Sequence, residues 1–379
     1  MTRRIRFGLI AAFAVAGPLS LVISGQNYSA PPPLVVTAFG EKAAPPYKTP
    51  TTPWGEPDLQ GTWSSDDTDG IPMARGGGRG GAAAPTGLYR SEAEITQRQQ
   101  QIDAAAKRAE NNATSTFRSD FGRRAFPQTS LIVDPPDGRV PALTDEGRKR
   151  PMPRGTYGNG PLDWTTDFSL YERCITRGIL GSSLRVIYGN GQRIQQAPGI
   201  VAISYEMVHD TRIIYTDGRQ HLSSDIHQYL GDSRGHWEGE ELVVETTNLT
   251  DQTAIGLNGN GNRHSAKMKL TERFKRVARD IVQYQVTVDD PVTYVRAFTL
   301  SYPLTPLDGG ELLPYDCHEG NMALKQSLGA ERAEDKALEE DRQKGINRPR
   351  RPVQDGLGVG GTPAAPAGRG GGPPPATQQ

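Results

Sequence analysis

A two-residue periodicity in the middle of the chain constrains the fold more than any other sequence feature. In residues 200–301, short runs rich in Val, Ile, Thr and Tyr alternate apolar with polar side chains. This pattern is typical of β-strands that bury one face. The strands predicted on this basis span residues 200–209, 212–216, 241–248, 267–277, 281–288 and 294–301.

Short turn sequences separate several of these strands, among them Asp217-Gly218, Glu238-Gly239 and Arg279-Asp280. Strands joined by such short links pair as antiparallel neighbours. Six or more of them protect their edges most simply by closing into a barrel or stacking as a sandwich. No crossover helices lie between them, which excludes a parallel sheet of alternating strands and helices. The expected fold is therefore mainly β, an antiparallel barrel or sandwich.

Two helices are predicted on either side of the strand region. Residues 91–111 are rich in Gln, Ala and Arg, with Ser91 at the N-cap position and Glu94 three residues later, which is the capping-box pattern. Residues 322–343 are dense in Glu, Lys and Arg and indicate a mostly solvated helix. Both are expected to lie at the periphery of the β domain.

The N-terminus has the layout of a secretory signal. Arg3, Arg4 and Arg6 precede an uncharged, mainly apolar stretch at residues 7–23. Residues 1–30 are therefore predicted to be a signal peptide or, if uncleaved, an N-terminal membrane anchor. Either outcome places the folded part in the periplasm or outside the cell.

Cys174 and Cys317 are the only cysteines in the chain. In an oxidising compartment two thiols of one domain usually pair, and closing a loop of this length stabilises by about 4 to 5 kcal/mol in the chain-entropy model. A disulfide between them is expected. The alternative, a nucleophile or a metal ligand, has less support because one Cys beside one His lacks zinc-site spacing.

Composition divides the rest of the chain. A Pro-rich linker at residues 31–53 leads to a single β-rich domain at residues 54–345, which carries a flexible Gly-rich loop at residues 73–86. The tail at residues 346–379 is dominated by Gly and Pro and is expected to be disordered.

Charge and motif content exclude several classes of function. The 43 basic and 43 acidic side chains balance, so no basic excess favours nucleic acid as a partner. The Gly-rich loop lacks the Gly-Lys-Ser/Thr ending of a phosphate-binding loop. No metal-binding His-x-His or Cys-x-x-Cys pair and no Gly-x-Ser-x-Gly elbow is present. No cofactor or metal is therefore expected, and the predicted partner is a small-molecule ligand or substrate.

One short motif suggests the type of barrel. Gly61-Thr62-Trp63 stands at an apparent strand start. It resembles the Gly-x-Trp opening of lipocalins, in which the Trp closes one end of the barrel. The resemblance implies a lipocalin-like or calycin-like barrel.

A longer resemblance covers residues 54–336 and rests on sequence blocks that occur in a fixed order. The most distinctive blocks are Glu172-Arg173-Cys174, Asp217-Gly218-Arg219-Gln220-His221, Gly231-Asp232-Ser233-Arg234-Gly235-His236-Trp237-Glu238-Gly239 and Cys317-His318-Glu319-Gly320-Asn321. These blocks resemble those of an uncharacterised family of exported bacterial proteins. Membership implies export, but no activity, substrate or catalytic residue.

Strand parity makes Glu272 a candidate catalytic residue. In residues 267–277, Glu272 shares a face with Met268, Leu270 and Phe274, so its carboxylate points with the apolar side chains. A carboxylate there is either an acid–base group with a raised pKa or the buried partner of an arginine that fixes strand register. Both interpretations stay open.

Two histidines complete the candidate catalytic set. Parity in residues 200–209 places His209 on the apolar face near a strand end, although a lone histidine of this kind is more often structural. His221 follows the next strand and its turn. Glu206, His209 and His221 are therefore expected near one end of a hairpin.

Five further residues are candidate ligand contacts. Arg219 lies in the turn before His221, and Trp237 with its charged neighbours suits either a sugar-stacking lip or a capped turn. The disulfide is expected to hold His318 and Glu319 near Arg173.

Three functions remain open. The first is an exported barrel that binds a small organic ligand in its interior, with Glu272, His209 and His221 as polar groups. The second is a cofactor-free periplasmic lyase, isomerase or hydrolase, with a Glu or His as general base and Arg side chains that stabilise an oxyanion. The third is an envelope interaction protein.

Overall fold

A computed structural model of the protein describes residues 47–75, 87–111, 122–150, 161–259, 261–307 and 309–350, together with one short hairpin near the N-terminus. This hairpin pairs β1 (Val22–Ile23) with β2 (Gln26–Asn27) and belongs to a unit that spans Met1–Pro32. All other elements belong to a second unit. Most of the predicted signal, Gly-rich loop and C-terminal tail lies outside the described residues.

The second unit is built mainly from strands. In chain order they are β3 (Gly61–Ser64), β4 (Ile132–Asp134), β5 (Gly191–Ala197), β6 (Ile200–Tyr205), β7 (Thr211–Tyr215), β8 (Asp232–Glu238), β9 (Glu241–Thr247), β10 (Ala254–Ile255), β11 (Asn262–Arg263), β12 (Lys269–Ala278), β13 (Ile281–Asp289) and β14 (Phe298–Pro306). The helices are α1 (Glu92–Asn111), α2 (Asp145–Lys149), α3 (Gly178–Ser183) and α4 (Ala323–Gln343).

Nine of the strands close into a barrel, which confirms the predicted mainly β fold. Around the barrel they follow the order β13, β12, β9, β8, β7, β6, β5, β3 and β14, and pairing between β13 and β14 closes the ring. One end of β14 pairs with β3 and its other end with β4, so β4 continues the wall beyond β3.

The barrel is mixed, because β7 and β8 run parallel while all other neighbours in it run antiparallel. A closed ring of alternating strand directions needs an even number of strands, so a nine-stranded ring contains at least one parallel pair. Residues 216–231 form the connection of this parallel pair, because they lead from the end of β7 back to the start of β8. The sequence predicted only antiparallel neighbours and missed this pair.

Alternate residues of each strand point into the barrel and form its core. Inward-facing Ile194, Ile203, Val244 and Val286 all belong to one buried hydrophobic cluster. The six residues of α3 are all buried, and Ile179 and Leu180 of this helix belong to the same cluster. The helix α3 therefore packs into the barrel core instead of lying at the periphery.

Trp63 of the Gly-x-Trp motif also belongs to this core. Its indole Nε1 donates to the carbonyl of Leu59 at 3.0 Å, and the guanidinium of Arg276 lies 5.4 Å from its ring centroid. Residues 47–53 are the described part of the predicted linker. They lie on the barrel, where the hydroxyl of Thr49 donates to the Arg276 carbonyl at 3.1 Å.

Both long helices form close to their predicted positions. At the start of α1, Ser91 N donates to the Glu94 carboxylate at 2.7 Å and Glu94 N donates to the Ser91 hydroxyl at 3.3 Å, which is a complete capping box. The second predicted helix forms as α4. The short helices α2 and α3 were not predicted.

Several predicted strand boundaries were wrong. The strand β6 ends at Tyr205, and the backbone of Val208 and His209 is left-handed, with φ of 64° and 55°. The parity argument that placed His209 on the inward face therefore fails, because parity holds only within a strand. The last strand begins at Phe298 instead of residue 294, and residues 232–238, which were not among the predicted strands, form β8.

The predicted disulfide between Cys174 and Cys317 is present and joins positions 143 residues apart. It ties the segment before the barrel strand β5 to the segment after the last barrel strand. In the described parts of the chain no helix is both long and apolar enough to cross a membrane.

Candidate functional site

Glu272 is fully buried in the barrel interior, on the inward face of β12. Its carboxylate oxygens accept two hydrogen bonds from Arg212 of β7, at 2.5 Å and 3.0 Å. The hydroxyl of Tyr284 donates to the same carboxylate at 2.9 Å, and that of Thr246 at 3.5 Å. The strands β8 and β9 separate β7 from β12, so the ion pair crosses the interior.

Large side chains surround this ion pair. The ring of Tyr284 lies 4.8 Å from that of Phe274 and 5.1 Å from that of Tyr302, measured between centroids. Desolvation by burial raises the pKa of the nearby Tyr205 to about 12, so this phenol stays neutral. Because Glu272 has partners for both oxygens, the geometry favours the register-fixing ion pair over an acid–base group.

His221 lies on the outer side of the barrel, in the crossover between β7 and β8. Its Nδ1 donates to the carboxylate of Asp232 at 2.9 Å, and its Nε2 lies 3.5 Å from the carboxylate of Glu245. Asp232 also pairs with Arg234 at 2.6 Å. Although burial opposes the shift, the Leu222 amide and the His221 and Arg234 side chains lower the pKa of Asp232.

Glu206 and His209 have separate roles in a turn after β6. The Glu206 carboxylate accepts from the amide of Gly191 at 3.1 Å, and His209 Nε2 accepts from the amide of Tyr315 at 3.0 Å. No hydrogen bond or ion pair between described residues joins either of them to His221. The predicted meeting of Glu206, His209 and His221 is therefore not seen.

The candidate ligand contacts Arg219 and Trp237 also lie apart from each other. Arg219 pairs with Asp217 and stacks 3.8 Å from the ring centroid of Tyr215, in an exposed position. Trp237 belongs to β8 and packs against the barrel core, where its indole Nε1 is buried. Its neighbour Glu238 pairs with His236 at 3.1 Å.

The disulfide brings together the two segments that the sequence predicted to meet. The side chain of Asn321 donates to the carbonyl of Glu172 at 3.3 Å. His318 and Glu319 are exposed, and between the described side chains neither forms a hydrogen bond or ion pair with Arg173. Arg173 instead lines a cavity.

This cavity has a volume of about 280 Å³ and lies between residues 166–177 and residues 252–263. The second segment belongs to the connection from β9 to β12 and contains the β10–β11 hairpin. No aspartate or glutamate is among the described residues that line the cavity. The polar lining includes Arg173, Thr176, Arg177, Gln252, Thr253 and Arg263.

Arg177 is the most deeply buried cation of this lining, with 1% of its surface exposed. Its Nη1 lies 3.5 Å from the Gly189 carbonyl, whereas its Nε and Nη2 have no hydrogen-bond partner in the described chain. The ring of Tyr171 lies 5.6 Å from its guanidinium carbon. Burial lowers the pKa of Arg177 to about 10, so the side chain is still positive at neutral pH.

Local packing fixes Arg177 in this position. It directly precedes α3, whose burial in the barrel core anchors the backbone on one side. On the other side Gly259 packs so closely that a Cβ at this glycine would lie 2.4 Å from the Arg177 carbonyl oxygen. The backbone of Arg177 is therefore held on both sides.

Two further arginines add positive charge to the cavity. Neither Arg173 nor Arg263 forms an ion pair with any described carboxylate, and the Nε of Arg263 is buried without a hydrogen-bond partner. Burial lowers the pKa of Arg263, and Asp251 partly offsets this shift. Asp251 itself lies 3.7 Å from Arg150. Arg173, Arg177 and Arg263 thus line a cavity that has no aspartate or glutamate among its described lining residues, while Glu206 and Asp251 act on Arg177 and Arg263 from outside that lining.

The hydroxyl groups of the cavity wall are held by hydrogen bonds. Thr176 donates to the carboxylate of Asp210 at 2.5 Å and accepts from the amide of Gly178 at 2.9 Å. Thr253 lies 2.5 Å from Nε2 of the buried His264. These contacts orient both threonines without using the arginines.

Of this cavity lining, sequence reasoning identified only Arg173. Arg177 stands three residues after Cys174, so the predicted disulfide was a signal that pointed to its neighbourhood. Arg263, Thr253 and His264 lie in a segment without strand or helix periodicity. Nothing in the local sequence indicates that this segment faces Arg177.

Among the described residues no cluster of three or more His, Cys, Asp or Glu side chains has the arrangement of a metal site. Comparison of the chain with protein-family models, with curated proteins and with solved structures finds no match.

Proposed function

We propose that this protein is an exported barrel that binds a small organic anion in the cavity beside Arg177. The supporting observation is the buried guanidinium of Arg177, which has two nitrogens without hydrogen-bond partners in the described chain. A buried charge with unsatisfied donors is unfavourable, and a ligand carboxylate or phosphate that reaches this guanidinium from the cavity would complete its hydrogen bonds. The ligand site is then a cavity at the margin of the barrel and not the barrel interior, which large side chains and the Arg212–Glu272 pair occupy.

The composition of the cavity lining supports an anion over a neutral ligand. Arg173, Arg177 and Arg263 all contribute to the lining, and no described acidic residue does. Guanidinium groups bind carboxylate and phosphate oxygens through paired N–H donors. Thr253 and Gln252 add neutral groups that could bind a hydroxyl or carbonyl of the same ligand.

The location outside the cytoplasm is part of this proposal. It rests on the basic N-terminus followed by an apolar stretch, and the Cys174–Cys317 disulfide supports it because disulfides persist in oxidising compartments. We also propose that the ordered sequence blocks mark the chain as a member of the exported family that they resemble.

Binding of defined anions to the full chain tests the proposal. Isothermal titration calorimetry with succinate and with inorganic phosphate should detect binding of at least one of them to the wild type. Arg177→Met keeps most of the side-chain volume and removes the charge, and should weaken binding at least about tenfold, or about 1.4 kcal/mol.

Arg296→Met is the matched control, because Arg296 is paired with Asp134 at 3.0 Å, far along the sequence from the cavity lining. It should bind as the wild type does. Succinamide, a neutral analogue of succinate, should not bind. Equal binding to the wild type and to Arg177→Met, or no binding of either anion to the wild type, would refute the proposal.

A further inference from the structure

A threonine and a histidine form a hydrogen-bonded pair at the wall of the arginine-lined cavity. Thr253 lines the cavity, and its Oγ1 lies 2.5 Å from Nε2 of His264. Both side chains are buried, with exposures of 6% and 1%. A hydroxyl within hydrogen-bond reach of an imidazole, where the imidazole is held by a third group, is the arrangement of an activated nucleophile.

The hydrogen bonds of His264 define which ring nitrogen carries the proton. Its Nδ1 lies 3.0 Å from the carbonyl oxygen of Ser265, which can only accept. Nδ1 therefore donates, and Nε2 is the acceptor for the hydroxyl proton of Thr253. A histidine that takes the hydroxyl proton of Thr253 through Nε2 needs this tautomer.

The environment of His264 keeps the ring neutral. Burial lowers its pKa, against smaller opposing effects of the Ser265 carbonyl and of the carboxylates of Asp290 and Asp251, while the Arg150 charge lowers it further. A neutral imidazole is able to accept a proton at neutral pH.

Asp290 fixes Ser265, whose carbonyl contacts the His264 ring. It is buried, and its carboxylate accepts from the Ser265 amide and hydroxyl, both at 2.7 Å. It also accepts from the amides of Val292 and Thr293. Ser265 is thereby fixed, and its carbonyl holds the His264 ring toward Thr253.

We propose that Thr253 and His264 are catalytic residues that hydrolyse an ester of the anionic ligand bound in this cavity. In the first step His264 Nε2 takes the hydroxyl proton as Thr253 Oγ1 bonds to the acyl carbon. The ester C–O bond then breaks, and the departing alkoxide takes the proton from His264, which leaves an acyl-threonine.

In the second step a solvent water molecule attacks the acyl-threonine and gives its proton to His264. The carbon–oxygen bond to Thr253 breaks, and its oxygen takes that proton back. One ester and one water thus give one acid and one alcohol, and the chain is unchanged. The arginines supply positive charge for the oxyanion that forms in both steps, as in other acyl-transfer sites.

This inference rests on the proposed anion site, and the experiment separates the two. The full-length protein is mixed with 4-nitrophenyl hydrogen succinate, an activated ester that carries one carboxylate. We expect rapid release of 4-nitrophenolate and, in acid-quenched samples, a mass increase of one succinyl group that peptide mapping places on Thr253.

Thr253→Val removes the hydroxyl at nearly constant volume and should abolish the adduct, while Thr253→Ser should retain it. His264→Gln should slow acylation at least about a hundredfold, the usual contribution of a general base. Thr211→Ala changes an exposed hydroxyl of β7 and should acylate as the wild type does. Circular dichroism shows which variants are folded.

Each outcome has a definite meaning. If succinate binds the wild type but no adduct forms on Thr253, the anion site stands and catalysis by Thr253 is refuted. If Thr253→Val releases 4-nitrophenolate as fast as the wild type, the nucleophile lies elsewhere and the inference is also refuted. If succinate and phosphate do not bind at all, the proposed function fails first.

Discussion

At the scale of single residues, two buried arginines of this protein are in opposite situations. Arg212 forms a bidentate ion pair with Glu272 inside the barrel. Arg177 is buried to a similar degree, but its Nε and Nη2 both lack a hydrogen-bond partner in the described chain, whereas in Arg212 only Nε does. A residue that stabilises the fold is expected to be paired, whereas an unpaired buried charge indicates a position kept for a ligand.

This contrast predicts that replacing arginine by methionine changes the free energy of unfolding in opposite directions at the two positions. Arg212→Met leaves the Glu272 carboxylate buried without its partner and should lower the free energy of unfolding by about 3 to 5 kcal/mol. Arg177→Met removes donors that the fold leaves unsatisfied and should raise that free energy by about 1 kcal/mol or more. Urea unfolding monitored by circular dichroism measures both values in ligand-free buffer.

The double variant Arg212→Met, Glu272→Gln serves as the control. Glu272→Gln should destabilise the wild type strongly but add little to Arg212→Met, because the two residues act as one unit. If Arg177→Met destabilises the protein as much as Arg212→Met does, Arg177 has a structural role and is not kept for a ligand.

At the scale of elements, the cavity depends on the close packing of two loops. The 3₁₀ turn at Leu257–Gly259 lies against the backbone of Arg177, just before α3. Gly259 has φ of 66°, a left-handed conformation that favours glycine, and it has no room for a Cβ beside the Arg177 carbonyl. Residue 259 must therefore both adopt a left-handed backbone conformation and lack a Cβ.

A pair of alanine substitutions separates these requirements. Gly239 also has a left-handed φ, 63°, but a Cβ there would meet nothing within 4 Å. Gly239→Ala should cost about 1 kcal/mol for the backbone conformation alone. Gly259→Ala should cost a further 1 to 3 kcal/mol or so, because the loop must move away from Arg177.

The same pair of variants also tests the cavity. Succinate affinity, measured by calorimetry, should fall in Gly259→Ala and stay unchanged in Gly239→Ala. Equal stability and equal affinity of the two variants would contradict the close packing described at Gly259.

At the scale of the whole molecule, the disulfide links the segment between β4 and β5 to the segment between β14 and α4. Cys174 lies in the turn that carries Arg173 and Arg177, and Cys317 lies in the segment between β14 and α4. The link therefore restrains the unfolded chain over 143 positions and also holds one wall of the cavity in place.

Reduction of the disulfide should affect stability and binding together. The unfolding free energy should fall by about 2 to 5 kcal/mol, as for other native disulfides. Succinate affinity should also fall, since the turn with Arg173 and Arg177 loses its tie to the C-terminal segment. Urea unfolding and calorimetry with and without reductant measure the two effects.

The double variant Cys174→Ser, Cys317→Ser provides the reference for this experiment. It should behave like the reduced wild type, and added reductant should not change it. A reduced wild type that unfolds at the same urea concentration as the oxidised form would show that the link contributes nothing to stability.

The sequence by itself determined the features that follow from local patterns and from the number of cysteines. The two-residue period predicted a mainly β domain, and Ser91 with Glu94 predicted the start of α1. The disulfide was predicted from two observations: the chain has two cysteines, and its N-terminus has the signal-like layout of basic residues followed by an apolar stretch. These features follow from side-chain alternation, local hydrogen bonds and the presence of two cysteines, which need no knowledge of the fold.

Only the tertiary structure decided how distant segments meet. Strand parity placed Glu272 in the interior, but the closure of the barrel supplied Arg212 from the other side as its partner. Parity failed for His209 because the strand ends before it. The cavity at Arg177 forms where residues 166–177 and residues 252–263 come together, and neither segment has a periodic pattern. Contacts of this kind depend on loop paths and strand order, which local sequence does not encode.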